Sequence, residues 1–177
     1  MARFFKRLMG VLVLDPIAFE EIEADRHAGM QSVIVVVMVC VAGGFAAKGL
    51  GLAGLSGFAT GSIIWLGAFL VWAAIVATLG TITVPEPQTR SDLPELLRVL
   101  GFATAPGLFV ALAAMQVVAP LVVTIVTLWT IAAAVMGVRQ ALDYRSLPRA
   151  IAVCVFGWVL SFGVVFAALM MFSAKVS

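Results

Sequence analysis

The chain has 177 residues, of which 63% are hydrophobic and 11% are charged, and its formal net charge is +2. Soluble domains hold about 45–50% apolar and about 25% charged residues, so this composition excludes a soluble globular protein. The net charge is small and forms no basic stripe, which excludes nucleic-acid binding by neutralisation of phosphates. Such a chain is suited to a lipid bilayer, where long apolar runs are required.

Residues 1–29 are predicted to form two amphipathic helices on the cytoplasmic surface of the membrane. The first is typical of a helix that lies among anionic headgroups with its apolar side chains in the acyl boundary. Its basic and apolar residues are Arg3, Lys6, Arg7, Phe4, Phe5 and Leu8. In the second helix Asp15 is a predicted N-cap and Pro16 a predicted first helical residue. The acidic face of this helix comprises Asp15, Glu20, Glu21, Glu23 and Asp25.

Residues 30–177 are predicted to form the transmembrane domain. The uncharged run 28–47 has 20 residues. As a helix it is about 30 Å long, the thickness of the hydrocarbon core. We place the first span at 30–48 and the second at 59–80, and we interpret the glycine-rich stretch 49–61 as a turn or re-entrant segment.

The stretch "LPELLRVLGFATAP" (93–106) combines an amphipathic beginning with an apolar end. Asp92 is a predicted N-cap, and Glu95 and Arg98 are spaced to pair at i, i+3 on the polar face. Pro106 follows in the apolar part. Because proline lacks a backbone N–H, we predict a helix kink there.

Arg98 and Arg139 bracket 40 uncharged residues. A single helix of that length is about 60 Å long, twice the hydrocarbon core, so we divide the run into spans at 97–118 and 120–138. The last span is placed at 149–173. With five spans, only Lys48 and Lys175 of the 11 basic residues lie outside. We therefore predict an all-α integral membrane protein, a five-helix bundle. The positive-inside rule places its N-terminus in the cytoplasm and its C-terminus outside.

No predicted span has an ionisable residue at its centre, which argues against a proton-coupled transporter or an intramembrane hydrolase. The patterns H-E-x-x-H, G-x-S-x-G and G-x-x-x-x-G-K-[ST] do not occur. His27 is the only histidine, so one chain cannot build a multi-histidine metal site. We predict no catalytic residue, no cofactor and no metal.

Small residues spaced four apart favour close helix contacts, within the chain or with another subunit. These helix-contact candidates are Gly43, Ala47, Gly51, Gly57, Gly61, Gly157 and Ser161. Hydroxyls also recur every three residues, at Thr124, Thr127 and Thr130. They either line a pore or bond to helix carbonyls.

A charged cluster follows the fourth predicted span. Its members are Arg139, Asp143, Arg145 and Arg149. Arg139 and Asp143 are four residues apart and are spaced to pair on a helix. The cluster either anchors the chain to headgroups or forms a docking surface, against the acidic helix 15–25 of this chain or against a partner.

Three segments resemble the bacterial branch of the Yip family, membrane proteins that interact with Ypt/Rab GTPases. They are "LDPIAFEEIEADRHAGMQSVIVVV" (14–37), "LPELLRVLGFATAP" (93–106) and "VRQALDYRSLPRAIAVCVFGW" (138–158). The resemblance implies a cytoplasmic N-terminal region, five transmembrane helices and a place in the bacterial plasma membrane. Eukaryotic relatives bind prenylated Rab GTPases in vesicle traffic, but their Tyr-Gly-Pro-type motif is absent here. The resemblance carries over no catalytic residue.

Three functional hypotheses follow. The first is a non-enzymatic accessory, scaffold or assembly subunit that contacts membrane lipids and binds other membrane proteins or copies of itself. The second is a channel or transporter for a small solute, which would use the Pro106 kink and the threonine hydroxyls. The third is a lipid-binding or membrane-shaping protein that acts through its interfacial helices.

Overall fold

The described residues form a bundle of α-helices. The computed structural model describes residues 2–49, 51–52, 54–83 and 93–176, with the side chains of the last helix described as far as Ala167. The seven α-helices are α1 (Ala2–Leu12), α2 (Pro16–Ala24), α3 (Ala28–Gly49), α4 (Gly54–Thr78), α5 (Leu93–Ala103), α6 (Ala119–Ala141) and α7 (Leu147–Val176). A π-helical turn, Leu79–Thr83, continues α4, and a 3₁₀ helix, Ala105–Ala114, follows α5.

Five segments of this described part are long and apolar enough to cross a membrane, which confirms the predicted five-helix architecture. They are Ala28–Gly49, Gly54–Ile82, Leu93–Ala114, Ala119–Ala141 and Leu147–Ala167. The uncharged run between Arg98 and Arg139 divides between Ala114 and Ala119. The predicted Asp92 cap and the predicted polar loop with Pro85 and Pro87 lie outside the described residues, as does the Lys175 side chain.

The third span changes helix type just before Pro106. Helix α5 ends at Ala103, and the 3₁₀ helix begins at Ala105. The Thr104 hydroxyl donates to the Gly101 carbonyl over 2.6 Å, so this side chain satisfies one acceptor where the α-helix ends. A 3₁₀ helix rises about 2.0 Å per residue, against about 1.5 Å in an α-helix. Its ten residues therefore extend about 20 Å and complete the crossing.

The turn before the second span is shorter than predicted from the glycine-rich stretch. Helix α4 already begins at Gly54, so most of the stretch is helical, and its described residues form no re-entrant segment. Gly51 has φ of 90°, in the left-handed region that favours glycine. An added Cβ at Gly51 would meet nothing within 4 Å. Gly51 therefore makes a turn and contacts no helix in the described part of this chain, while a contact there with another subunit stays a prediction.

The α1–α2 hairpin (2–24) packs into the bundle and does not form a separate surface layer. Phe19 and Ile22 of α2 are fully buried. An added Cβ at Gly137 of α6 would lie 2.6 Å from Val99 of α5 and 3.2 Å from Phe19, so α2, α5 and α6 meet at this glycine. The Trp129 indole of α6 donates to the Leu12 carbonyl over 3.0 Å, which fixes the tip of the hairpin to the bundle.

Candidate functional site

A polar surface of the described chain lies where α2 meets the turn between α6 and α7. Gln140 Nε2 donates to Glu20 Oε1 over 2.7 Å and joins the two elements. A cavity of about 610 Å³ opens beside this bond. We call it the charged pocket; its walls are Glu20, Glu23, Arg139, Gln140, Asp143, Tyr144 and Arg145. The structure thus brings part of the predicted acidic helix and part of the predicted charged cluster together within one chain.

A buried hydrogen bond anchors the turn between α6 and α7 in the bundle. Helix α6 ends at Ala141, and Asp143 has a left-handed φ of 52°. Since the helix has ended, Arg139 and Asp143 are not one turn apart on a common helix, which was the geometry assumed for their predicted pairing. The Tyr144 hydroxyl is buried and donates to the Gly80 carbonyl over 2.8 Å, which ties the turn to the end of the second span.

Arg7 divides the predicted acidic face into two parts. Its side chain is 2% exposed. Arg7 donates to Glu21 over 3.3 Å, to Asp25 over 2.6 Å and to the Gln31 amide oxygen over 3.0 Å. Its predicted place among headgroups is therefore wrong, because the guanidinium points into the protein. The only sequence signal for this arrangement is the four-residue spacing of Glu21, within α2, and Asp25, the residue that caps the end of that helix.

The Arg7 hydrogen bond holds the pKa of Asp25 well below its ordinary value, at about 2, with help from the backbone N–H of His27. Asp25 is therefore ionised at neutral pH and pairs with the buried guanidinium. The Glu21 and Asp25 carboxylates are thus committed to the α1–α2 hairpin. Asp15 is committed as well, because its carboxylate caps α2 by accepting the Ile17 N–H over 3.0 Å.

The environment of Glu23 favours the protonated carboxyl group, whereas that of Asp25 favours the carboxylate. Burial is the main cause that raises the pKa of Glu23 to about 7, and the nearby carboxylate of Asp143 raises it further. Arg98 acts against this shift, and its Nη2 donates to the Glu23 carbonyl over 2.7 Å. Arg98 also pairs with Glu95 at 3.9 Å, as the i, i+3 spacing predicts. Glu23 thus changes charge near neutral pH at the wall of the charged pocket.

The remaining docking and contact candidates lie elsewhere. Arg149 is exposed on the first turn of α7, outside the residues that line the charged pocket. An added Cβ at Gly61 would lie 2.7 Å from Ala47 and 2.9 Å from the Gly43 carbonyl, so these three residues form the α3–α4 contact. Gly157 faces Val76 of α4 in the same way.

The last two helix-contact candidates serve other local roles. An added Cβ at Gly57 would lie 2.5 Å from the Leu52 carbonyl, so this glycine packs on the turn before α4. Ser161 instead lines a cavity. The small-residue spacing is therefore used largely inside the chain.

A second site, which sequence reasoning missed, is an apolar cleft among the spanning helices. Its outer part has a volume of about 330 Å³ and its inner part about 100 Å³. The two parts share Trp65, Ala68, Thr130, Trp158 and Ser161. Two of the three threonines noted in the sequence line this cleft, whereas the Thr124 hydroxyl donates to Pro120 of its own helix over 2.8 Å.

Metal-binding side chains do not gather in the described part of the chain: no group of three or more His, Cys, Asp or Glu is arranged to hold an ion. Cys40 and Cys154 are buried free thiols.

These features define an all-helical, multi-pass membrane protein whose spanning helices contact lipid. Residues 9–169 match the Yip1 domain. Since the match covers most of the chain, the protein belongs to the Yip1 domain family. Neither the search of curated proteins nor the search of solved structures found a match.

Proposed function

We propose that this protein is a non-enzymatic accessory or assembly subunit that binds another membrane protein through the charged pocket. It would lie in the bacterial plasma membrane with its N-terminus in the cytoplasm and its C-terminus outside. Residues 1–29 would then form the cytoplasmic part of the molecule, packed on the transmembrane domain 30–177. The observation that carries the proposal is the charged pocket itself.

The walls of the charged pocket suit recognition of a protein surface. They carry both signs of charge on side chains that two distant parts of the chain contribute. Paired arrays of unlike charges give specificity and orient a partner more than they add affinity. The walls are also fixed in place, because Phe19 and Tyr144 anchor the two elements in the core. A fixed surface loses little conformational entropy when it binds.

Two observations favour this surface over the alternatives. The small-residue helix faces largely serve contacts between the chain's own helices, so they leave fewer sites for a partner inside the membrane. The first threonine hydroxyl bonds to its own helix, and the cleft that the others line is mostly apolar, which does not favour a polar solute path.

Reversal of one charge in the charged pocket tests the proposal. We expect Arg139→Glu to lower the yield of a co-purifying membrane protein about tenfold after extraction into native lipid particles. The new carboxylate would repel the acidic group of the partner that pairs with the arginine. Arg26→Glu is the matched control, since Arg26 is exposed but does not line the charged pocket. Equal yields from both variants, or a wild-type chain without any partner, would overturn the proposal.

A further inference from the structure

The turn of the α1–α2 hairpin is fixed at a depth well inside the span of α6. The Leu12 carbonyl accepts the Trp129 indole N–H over 3.0 Å. Trp129 lies near the middle of α6, and the segment from Trp129 to the charged end of this helix at Ala141 is about 18 Å long. Half the thickness of the hydrocarbon core is about 15 Å. The hydrogen bond therefore holds the turn at a depth that belongs to the bilayer interior.

A contact of α2 gives a second measure of this depth. An added Cβ at Gly137 would lie 3.2 Å from Phe19, so these residues share one level, about 6 Å from Ala141. The segment from Phe19 back to the N-cap Asp15 adds up to about 6 Å. The two measures thus put the turn (12–15) about 12–18 Å below the end of α6. Neither measure leaves the turn at the membrane surface.

The hairpin presents exposed apolar side chains along its outer side. Phe5 and Met9 of α1 are 59% and 58% exposed, and Val13 in the turn is 70% exposed. Since they are spaced four residues apart, they form one stripe, whereas Leu8 and Val11 are buried against the bundle. We call Phe5, Met9 and Val13 the apolar stripe. At the depth set by the Trp129 bond, the medium that surrounds this stripe is hydrocarbon.

The backbone donors of the turn are all satisfied within the chain. The N–H groups of residues 13–15 donate to carbonyls in the last turns of α1 over 2.9–3.1 Å. Pro16 has no N–H, and the next two donors both bond to Asp15: Ile17 to its carboxylate and Ala18 to its carbonyl. Backbone that leaves the helical conformation at membrane depth requires such partners, because lipid supplies none. The turn meets this requirement.

The charged side chains of the hairpin gather at the end away from the turn. Between Arg7 and Glu20 the only ionisable residue is Asp15. Its carboxylate lies at the N-terminus of α2, where the helix dipole favours a negative charge. Arg7, nearer the surface, is buried in ion pairs with Glu21 and Asp25. This distribution suits a hairpin that has its charged end among headgroups and its turn in hydrocarbon.

We propose that the α1–α2 hairpin is a re-entrant element that enters the cytoplasmic leaflet and ends inside it, with the apolar stripe covered by acyl chains of that leaflet. Ile17 of α2, which is 69% exposed, contacts the same chains. The choice of leaflet rests on the proposed orientation, but the depth does not. Neither depends on partner binding at the charged pocket.

Spin-label accessibility tests the depth in the full-length chain, with Cys40 and Cys154 replaced by alanine and one chain in each phosphatidylcholine nanodisc. The probes are oxygen, which concentrates in hydrocarbon, and a water-soluble nickel chelate. The ratio of oxygen to nickel collisions at Val13→Cys should match that at Leu128→Cys, which is 63% exposed near the middle of α6. It should exceed the ratio at Leu147→Cys, at the start of α7, at least fivefold.

Two results would overturn the proposal. A ratio at Val13→Cys equal to that at Leu147→Cys would place the turn in water. Low access of both probes to Val13→Cys would show that protein, not lipid, covers the apolar stripe. Because a nanodisc exposes both faces of the bilayer, the measured depth is independent of the proposed orientation.

A polar substitution checks the same depth in the chain with its native cysteines. Val13→Asn should lower the thermal midpoint in nanodiscs by about 3 °C or more, because its amide would lie in hydrocarbon without partners. Val117→Asn is the matched control: Val117 is 96% exposed in the turn between two spans, so its midpoint should stay within about 1 °C of the wild type. An unchanged midpoint for Val13→Asn would overturn the proposal, because asparagine is well tolerated in a turn that meets water.

Discussion

Glu23 and Arg7 show that the charged residues of the α1–α2 hairpin have different roles. Arg7 is buried with its hydrogen bonds made by Glu21, Asp25 and Gln31. Glu23 is a carboxyl group whose environment favours the protonated form. Arg7 therefore stabilises the fold while it is charged, whereas Glu23 stabilises it while its carboxyl group is protonated.

The pKa of Glu23 predicts a pH dependence of stability. The pKa of the carboxyl group is about 7 in the folded chain and 4.5 by its ordinary value, so the folded state binds the proton more tightly. This contribution is complete below pH 4.5, declines as the pH rises, and is lost above about pH 7. We expect Glu23→Gln to reduce the change of the thermal midpoint between pH 5 and 8 in detergent, whereas Glu20→Gln should retain most of that pH dependence. A Glu23→Gln variant with the wild-type slope would contradict the assignment.

The buried position of Arg7 predicts a large difference between two adjacent basic residues. Arg7→Met removes three hydrogen bonds to polar side chains, and each bond to a charged group is worth about 1.5–3 kcal/mol. Lys6→Met removes one exposed pair with Glu21, which is worth at most about 1 kcal/mol. Thermal unfolding in detergent should show a clear loss for Arg7→Met and little for Lys6→Met. Equal losses would contradict the buried arrangement.

At the scale of elements, the junction of α2, α5 and α6 depends on the absence of a side chain at Gly137. An added methyl group would lie 2.6 Å from Val99 and 3.2 Å from Phe19, closer than normal contact. Overpacking of this kind typically costs about 1–3 kcal/mol. We expect Gly137→Ala to lower the thermal midpoint and to expose the α1–α2 hairpin to limited proteolysis.

Gly67→Ala on α4 is the control for that prediction, because a methyl group there would meet nothing within 4 Å. Alanine favours a helix over glycine by up to about 1 kcal/mol, so this variant should match or slightly exceed the wild-type stability. If Gly137→Ala proved equally stable, the contact of α2 with the bundle would be wrong.

The elements differ in how far the sequence predicts them. The five-span architecture follows from local properties, the length of each apolar run and its flanking charges, and it is confirmed. The place of Arg7 does not follow, because the sequence does not show that α1 folds back on α2. The apolar cleft depends on how α4 diverges from α6, which is a property of packing. The residues that line it, such as Trp72 and Ala68, have no distinguishing local pattern.

At the scale of the whole molecule, the structure separates two chemical environments. The charged pocket and the Arg7 ion pairs lie at the end where α2 meets the α6–α7 turn. Away from their ends the five spans carry no charged residue, and their cleft holds only neutral polar groups. In the proposed topology this charged end faces the cytoplasm, where a protein partner would bind, while the cleft faces lipid.

The topology is tested most directly by labelling single cysteines in intact cells, with Cys40 and Cys154 replaced by alanine. Val117 is 96% exposed in the turn between the third and fourth spans, and Leu147 is 42% exposed at the start of α7. We expect a membrane-impermeant maleimide to label Val117→Cys from outside, and to label Leu147→Cys only after the membrane is permeabilised. Labelling of Leu147→Cys in intact cells, with Val117→Cys protected, would contradict the proposed orientation and its cytoplasmic charged pocket, and labelling of both cysteines from the same side would contradict a fourth span between them.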